Sequence, residues 1–244
     1  MSWLEQAVNL KDLPSSQLWV LYGKSGAGKT HMLSTFPKPM LYLQFGDDGS
    51  NTIGDVEGID AIRITSLQQL KEIAQEARVD THYKTVAVDT FSLVVQEWVD
   101  ANAVKKNKRV SQQMWGDLKT DTEELVKEFK TLAINHIVVL TCHEVTDSIE
   151  GMEEEITPDV RPSVSKGART YLESMANFGI HLTVLTKEKD MPDGTTKIVT
   201  AHAAHVAPNT YYWTKLQKPA SIKVPQQVIN PTYEKIINIM KGAK

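Results

Sequence analysis

The sequence predicts an α/β protein with a mostly parallel central sheet flanked by helices and a C-terminal β-hairpin extension. Three observations carry this. Short apolar runs at 18–22, 40–45, 85–90 and 137–142 alternate with helix-competent segments, the pattern of a parallel sheet. Those runs end in polar or acidic residues. The first passes directly into Gly23-Lys24-Ser25-Gly26-Ala27-Gly28-Lys29-Thr30, a Gly-x-x-x-x-Gly-Lys-Thr loop opening a helix.

That loop organises the chain. Its glycines let the backbone curl so that the amides of residues 23–30 point at phosphate oxygens. Lys29 brings positive charge to the β- and γ-phosphates, and the Thr30 hydroxyl suits Mg²⁺. The helix that starts there adds its positive dipole end. The helix must stop at Phe36-Pro37-Lys38-Pro39, where two prolines cannot continue it. Residues 1–16 form a polar lead-in with an apolar patch (Trp3, Leu4) ahead of one domain over 17–244. Two readings stand for the lead-in: a surface-docked end, or an arm packing on a neighbouring subunit.

Met40 to Phe45 is a second strand, expected next to the phosphate strand, and it runs into Gly46-Asp47-Asp48-Gly49-Ser50. Carboxylates there sit where open α/β sheets hold ligands, although Asp-Asp-Gly is also ordinary turn chemistry. Ala61–Ile64 suits an edge strand, and Ser66 with Gln69 makes a capping box for the helix through Leu70, Ile73, Ala74 and Ala77. Thr85 to Thr90 is a buried strand whose Asp89 matches the carboxylate that orients Mg²⁺ in phosphate-loop enzymes. A helix with Leu93, Val94, Trp98 and Ala101 on its apolar side leads to the densest basic cluster, Lys105, Lys106, Lys108 and Arg109.

A basic cluster at a helix end is either a solvated terminus or, beside Trp115, a single-strand contact. Trp115 itself suits either exposed stacking or a core anchor. Leu118, Leu125, Phe129 and Leu132 mark an amphipathic helix over the sheet. The strand Ile137–Cys142 ends at His143 and Glu144. His143, one strand from Asp89, reads either as a structural histidine or as a γ-phosphate sensor. Asp147 to about Lys166 lacks periodicity and reads as a long functional loop carrying Glu153-Glu154-Glu155, Arg161 and Lys166. Gly179–Leu185 and Lys197–Ala203 form a hairpin around Met191-Pro192-Asp193-Gly194. His202 and His205 lack a third ligand and do not read as a metal site. An extended segment, Tyr212 to Pro219, follows, and after Asn230-Pro231 a short helix presents Ile236, Ile237 and Met240.

At 244 residues, with 41% hydrophobic and 23% charged residues, the composition is that of a globular domain. The net charge of -3 supplies no global attraction to nucleic acid, so DNA contact requires a local basic patch or several stacked copies. Cys142 is the single cysteine, which fits a reducing compartment. No apolar run approaches the ~20 residues of a membrane span. The expectation is a cytoplasmic protein without a membrane role.

The order of motifs, from Gly-Lys-Ser-Gly-Ala-Gly-Lys-Thr through Phe-Pro-Lys-Pro, Val-Ala-Val-Asp-Thr, Met-Trp-Gly, Thr-Cys-His-Glu and Ile-Asn-Pro-Thr, resembles the phage-encoded core-only RecA-like P-loop ATPases. These are AAA-family nucleotide-binding phage proteins linked to single-strand annealing and recombination. The resemblance implies ATP and Mg²⁺ as cofactors, single-stranded DNA as substrate, a ring or filament of like subunits, and a single-strand-binding or replication protein as partner, in the cytoplasm of a bacterial host. It places a water-activating carboxylate, normally Glu, at Asp47 or Asp48. A side chain one carbon shorter suggests slow or partner-stimulated hydrolysis. It makes His143 a sensor linked to a DNA-binding loop from Asp147 onward, and matches Lys215 and Lys218 to basic residues that act across a subunit interface. The family's Lys-x-Arg reads Lys215-Leu216-Gln217 here. The rival class is a nucleotide-gated ATPase that binds a protein, as helicase loaders, packaging factors and regulatory factors do. A small-molecule kinase fits least, without an Arg-rich lid.

Overall fold

The computed structural model describes residues 16–46, 49–106, 109–150, 156–190 and 196–242. Residues 1–15, the carboxylates Asp47 and Asp48, Lys108, the Glu153–Glu155 run and the turn at 191–194 lie outside the described residues.

The chain opens with β1 (Gln17–Tyr22), the phosphate loop and α1 (Lys29–Leu33), a five-residue helix ended ahead of Pro37 as its sequence requires. β2 (Met40–Phe45), β3 (Ile59–Ile64), α2 (Leu67–Glu76) and β4 (Thr85–Asp89) follow. The α2 cap forms with a shift from the ideal box. Ser66 Oγ accepts from Gln69 N at 3.1 Å, while Gln69 Oε1 reaches past Ser66 to accept from Thr65 N at 2.9 Å. Then come α3 (Leu93–Asn102), α4 (Gln112–Leu132) and β5 (Ile137–Cys142).

Next, where the sequence suggests a loop from Asp147 to about Lys166, stands an antiparallel ribbon, β6 (Glu144–Glu150) with β7 (Ile156–Pro162), and after it a helix, α5 (Lys166–Met175). On the side of β7 away from β6, the Val160 amide donates to the Tyr211 carbonyl at 2.8 Å and its carbonyl accepts from the Trp213 amide at 3.2 Å. Pro158 and Pro162, two residues to either side, share that outward side, so neither removes a bond to β6. β8 (Phe178–Asp190), β9 (Thr196–His205), β10 (Lys215–Leu216), β11 (Gln227–Ile229) and α6 (Tyr233–Met240) complete the chain. Of the extended segment expected over 212–219, only the two residues of β10 are strand.

Among the described residues the main sheet runs β11-β9-β8-β1-β5-β4-β2-β3, with β10 on β8. Pairing is parallel from β3 to β8 and antiparallel in the β8–β9 hairpin and beyond. β2 is therefore not the neighbour of the phosphate strand: β5 and β4 lie between. The expectation of adjacency rested on chain order, which the crossover through α1 does not respect. The site survives this correction, because ligands bind along the whole C-terminal edge.

Both faces of the sheet are covered, so the parallel strands are apolar throughout. Leu18, Val20 and Tyr22 of β1 face Leu125, Phe129 and Leu172 of α4 and α5, and Trp19 and Leu21 face Met32, Leu33 and Ile236 of α1 and α6. This closes a three-layer sandwich that holds the C-terminal ends of β1, β5 and β4 in a fixed register.

Candidate nucleotide site

The phosphate loop arcs from the top of β1 into α1. Its entry is tied to β5 by the Gly23 amide donating to the Cys142 carbonyl at 3.3 Å, and a turn within it closes through Ala27 N to Lys24 O at 3.1 Å. Gly28, at φ 91°, is the left-handed cap of α1, a conformation that a side chain disfavours. A Cβ there would also stand 2.7 Å from His202 Nδ1. Lys29 is 7% exposed, and its ammonium donates to the Gly23 and Lys24 carbonyls at 2.9 Å each. The lysine is thus held against the loop whose phosphate it would serve.

Asp89, at the end of β4, is 2% exposed. Its Oδ2 accepts from Thr30 Oγ1 at 2.8 Å and from Tyr42 Oη at 2.9 Å; its Oδ1 accepts from Thr90 Oγ1 at 3.0 Å and from Thr141 Oγ1. Four hydroxyl donors satisfy both oxygens of the buried carboxylate. Thr30 and Asp89 are adjacent hard oxygen donors and fit Mg²⁺, which takes one or two protein oxygens and completes its shell with phosphate and water. No group of three or more metal-ligating side chains occurs among the described residues, consistent with a cation held largely by its nucleotide. Gly49, at φ 84°, brings the segment after β2 over Thr30; a Cβ there would lie 2.6 Å from Thr30 Oγ1.

These groups line a cavity of about 290 Å³ with Ser25, Gly26, Thr52 and Thr90, and with the rings of His31, His143 and His202. The His143 amide donates to Ser92 Oγ at 2.9 Å, fixing the end of β5 to the start of α3. Cys142, just before it, is fully buried, and burial pushes its thiol up to about 12. It is inert at neutral pH.

A protein-family model described as an AAA domain matches residues 16–214. The chain belongs to that family. The AAA-type P-loop ATPase domain thus accounts for the sheet and for the loop at its centre, and implies nucleotide binding. Among curated proteins, none matches the chain. Among the described residues, no helix is long and apolar enough to cross a membrane.

Other residues singled out from the sequence fall elsewhere in the AAA domain. Lys215 donates to the Glu173 and Ser174 carbonyls at 3.1 and 2.9 Å, at the end of α5, and Lys218 to Ile222 O at 2.5 Å; neither lines the cavity of its own chain. Lys105, Lys106 and Arg109 are exposed, as is Lys166 at the start of α5. Trp115 is 49% exposed on the first turns of α4, so it is not a core anchor. Arg161 is engaged by Asp159 at 2.6 Å and Glu173 at 3.4 Å.

Sequence reasoning missed Tyr42, Thr141, His31 and His202 at the site. Tyr42 and Thr141 are internal strand residues, distinguished from core only by their register with Asp89. His202 was weighed solely as a metal ligand, and nothing in local sequence signals that the hairpin carries it to the phosphate loop.

Proposed function

We propose that the protein is a Mg²⁺-dependent ATPase of the RecA-like type that acts on single-stranded DNA, in phage recombination, annealing or replication. The observation that carries the ATPase reading is the convergence of Lys29, Thr30 and Asp89 on one cavity, with the Thr30 hydroxyl donating to Asp89 at 2.8 Å. Lys29 and the loop amides grip the triphosphate. Thr30 and Asp89 would hold Mg²⁺, which would neutralise part of the triphosphate charge. Asp47 or Asp48 would position the attacking water, and His143 would report the state of the γ-phosphate to the ribbon that begins one residue later. Lys29 is the only Lys or Arg among the described residues lining the cavity. Charge developing in the transition state therefore needs a second cation, for which Lys215 or Lys218 of a neighbouring copy is the candidate.

The DNA reading is supported by exposed Lys105, Lys106 and Arg109 followed by half-exposed Trp115, a basic and aromatic pairing suited to single strands. One observation favours a protein as effector instead. Arg161, on the ribbon, is neutralised by Asp159 and Glu173, and Asp147 and Glu144 add acid to the same element.

The test measures ATP turnover and gel shift for wild type and Lys29→Ala, with and without single-stranded DNA, across a salt titration. DNA binding in wild type that weakens steeply with salt and alters turnover supports the proposal. Turnover indifferent to DNA, with no shift at low salt, leaves the ATPase and removes the DNA role. Absence of turnover in wild type alone and with DNA removes the enzyme reading.

A further inference from the structure

We propose that His31 and His202 form the nucleoside end of the cavity and hold the base by stacking, so that the protein selects among nucleotides by ring area; this rests on the nucleotide reading above. Among the described lining residues there is no Phe, Tyr, Trp, Leu, Ile or Val. A base entering the cavity finds flat surface only on imidazole rings. Of the three present, His143 stands at the end of β5, beside the β4 end that carries Asp89, and so belongs to the metal and γ-phosphate end. His31 and His202 make a separate group. His31 is the residue after Thr30 on α1, past the amides that take phosphate, and His202 reaches in from β9.

The two rings are built as a pair. Their centroids are 6.2 Å apart and their planes lie within 30° of each other, inside the range of about 4.5–7 Å for interacting aromatic rings. His202 is the fixed member. Its Nδ1 lies 3.1 Å from the Ala27 carbonyl, which can only accept, so Nδ1 carries the proton. The ring also packs on Gly28, and the His202 carbonyl is pinned by the Asn230 amide at 2.7 Å. His31 is solvent-exposed and adjustable. Carbon contacts on both faces of an inserted ring require about 7–8 Å between the flanking rings, so an outward shift of the His31 ring by roughly 1–2 Å from its present 6.2 Å separation admits a base. Stacking reads area rather than hydrogen-bond pattern. The site should therefore take purine over pyrimidine nucleotides and discriminate little between ATP and GTP.

The experiment is titration calorimetry of Mg²⁺ complexes of ATP, CTP and inorganic tripolyphosphate against wild type, His31→Ala, the double variant His31→Ala/His202→Ala, and His31→Tyr. Wild type is expected to bind ATP about 5- to 150-fold tighter than tripolyphosphate, from the range for base–aromatic stacking, with CTP between them. The double variant should bring the three ligands together, and His31→Tyr should keep ATP ahead. Tripolyphosphate binding in each variant certifies an intact phosphate loop. Wild type binding ATP and tripolyphosphate equally, or a double variant that keeps the full gap, overturns the base platform and leaves the nucleotide reading intact. Wild type binding none of the three overturns both.

Discussion

Two buried polar residues on this chain show how burial is made tolerable in different ways. Asp89 is surrounded by four hydroxyls, which donate to both its oxygens and bring no charge of their own. His181 on β8 is 2% exposed; its Nε2 lies 2.8 Å from Glu144 Oε2, and its ring stacks on Tyr212 at 4.2 Å. Burial lowers its pKa, and the bond to Glu144 opposes that without reversing it. His205, 5.4 Å away ring to ring, is lowered too, by burial and then by His181. Both rings are therefore neutral in the fold at pH values where the unfolded chain, near 6.5, begins to take protons. The sign follows. The unfolded state binds more protons as pH drops below about 6.5, so stability is complete above that value and falls below it, by up to about 1.4 kcal/mol per pH unit for each histidine. Thermal melts between pH 7.5 and 5.5 should show Tm dropping by a few degrees. In His181→Gln, which keeps a donor for Glu144 and cannot titrate, the drop should shrink. An unchanged slope in that variant would show that His181 is not the titrating group.

At the scale of elements, the ribbon is attached to the body at several points: Glu144 to His181, Arg161 to Glu173, and Arg169 on α5 to Asp147 at 2.5 Å. Arg169 is 9% exposed, so its ion pair is a partly desolvated contact rather than a surface one. A hydrogen bond to a charged group of this kind contributes about 1.5–3 kcal/mol. In Arg169→Met, amide exchange in the paired ends of the ribbon, 144–147 and 158–162, should quicken by about 10- to 100-fold while β4 and β5 stay protected. Equal exchange in both proteins would mean that the pair does not anchor the ribbon. The same element marks where reading from sequence stops. Strands buried on both faces, the phosphate loop, Asp89 and the α4 stripe of Leu118, Leu125, Phe129 and Leu132 were legible because each signal is local. The ribbon was not, since its outer edge is completed by the segment at 211–213, about 50 positions further on. α5 lies beyond the stretch that reads as loop, and its Ala168, Leu172 and Met175 stand at helical spacing. Tyr42, Thr141 and His202 join the site only through sheet register and through a hairpin that brings His202 to Ala27 across 175 positions of sequence, information that no local window holds.

The whole molecule presents an imbalance that bears on assembly. Its net charge is -3, and Lys29 is the only Lys or Arg of the cavity lining among the described residues. A triphosphate with one Mg²⁺ retains about two negative charges, and more charge must be met as the γ-phosphoryl group departs. On the proposed reading, a single copy would bind nucleotide more readily than it hydrolyses it. A cation offered by a neighbour would correct this, and would make turnover depend on contact between copies. Two linked measurements test the idea. Light scattering should show a larger mass with a non-hydrolysable ATP analogue and Mg²⁺ than without, and no such increase for Lys29→Ala. ATP turnover per chain should rise with protein concentration over the same range. Lys215→Ala and Lys218→Ala then identify the donor: the variant that assembles with nucleotide yet loses about 10³-fold or more in kcat has lost the trans-acting cation. A mass that ignores nucleotide, together with turnover per chain that is flat with concentration, would mean that each copy completes its own site, and the missing charge would have to be sought within the chain.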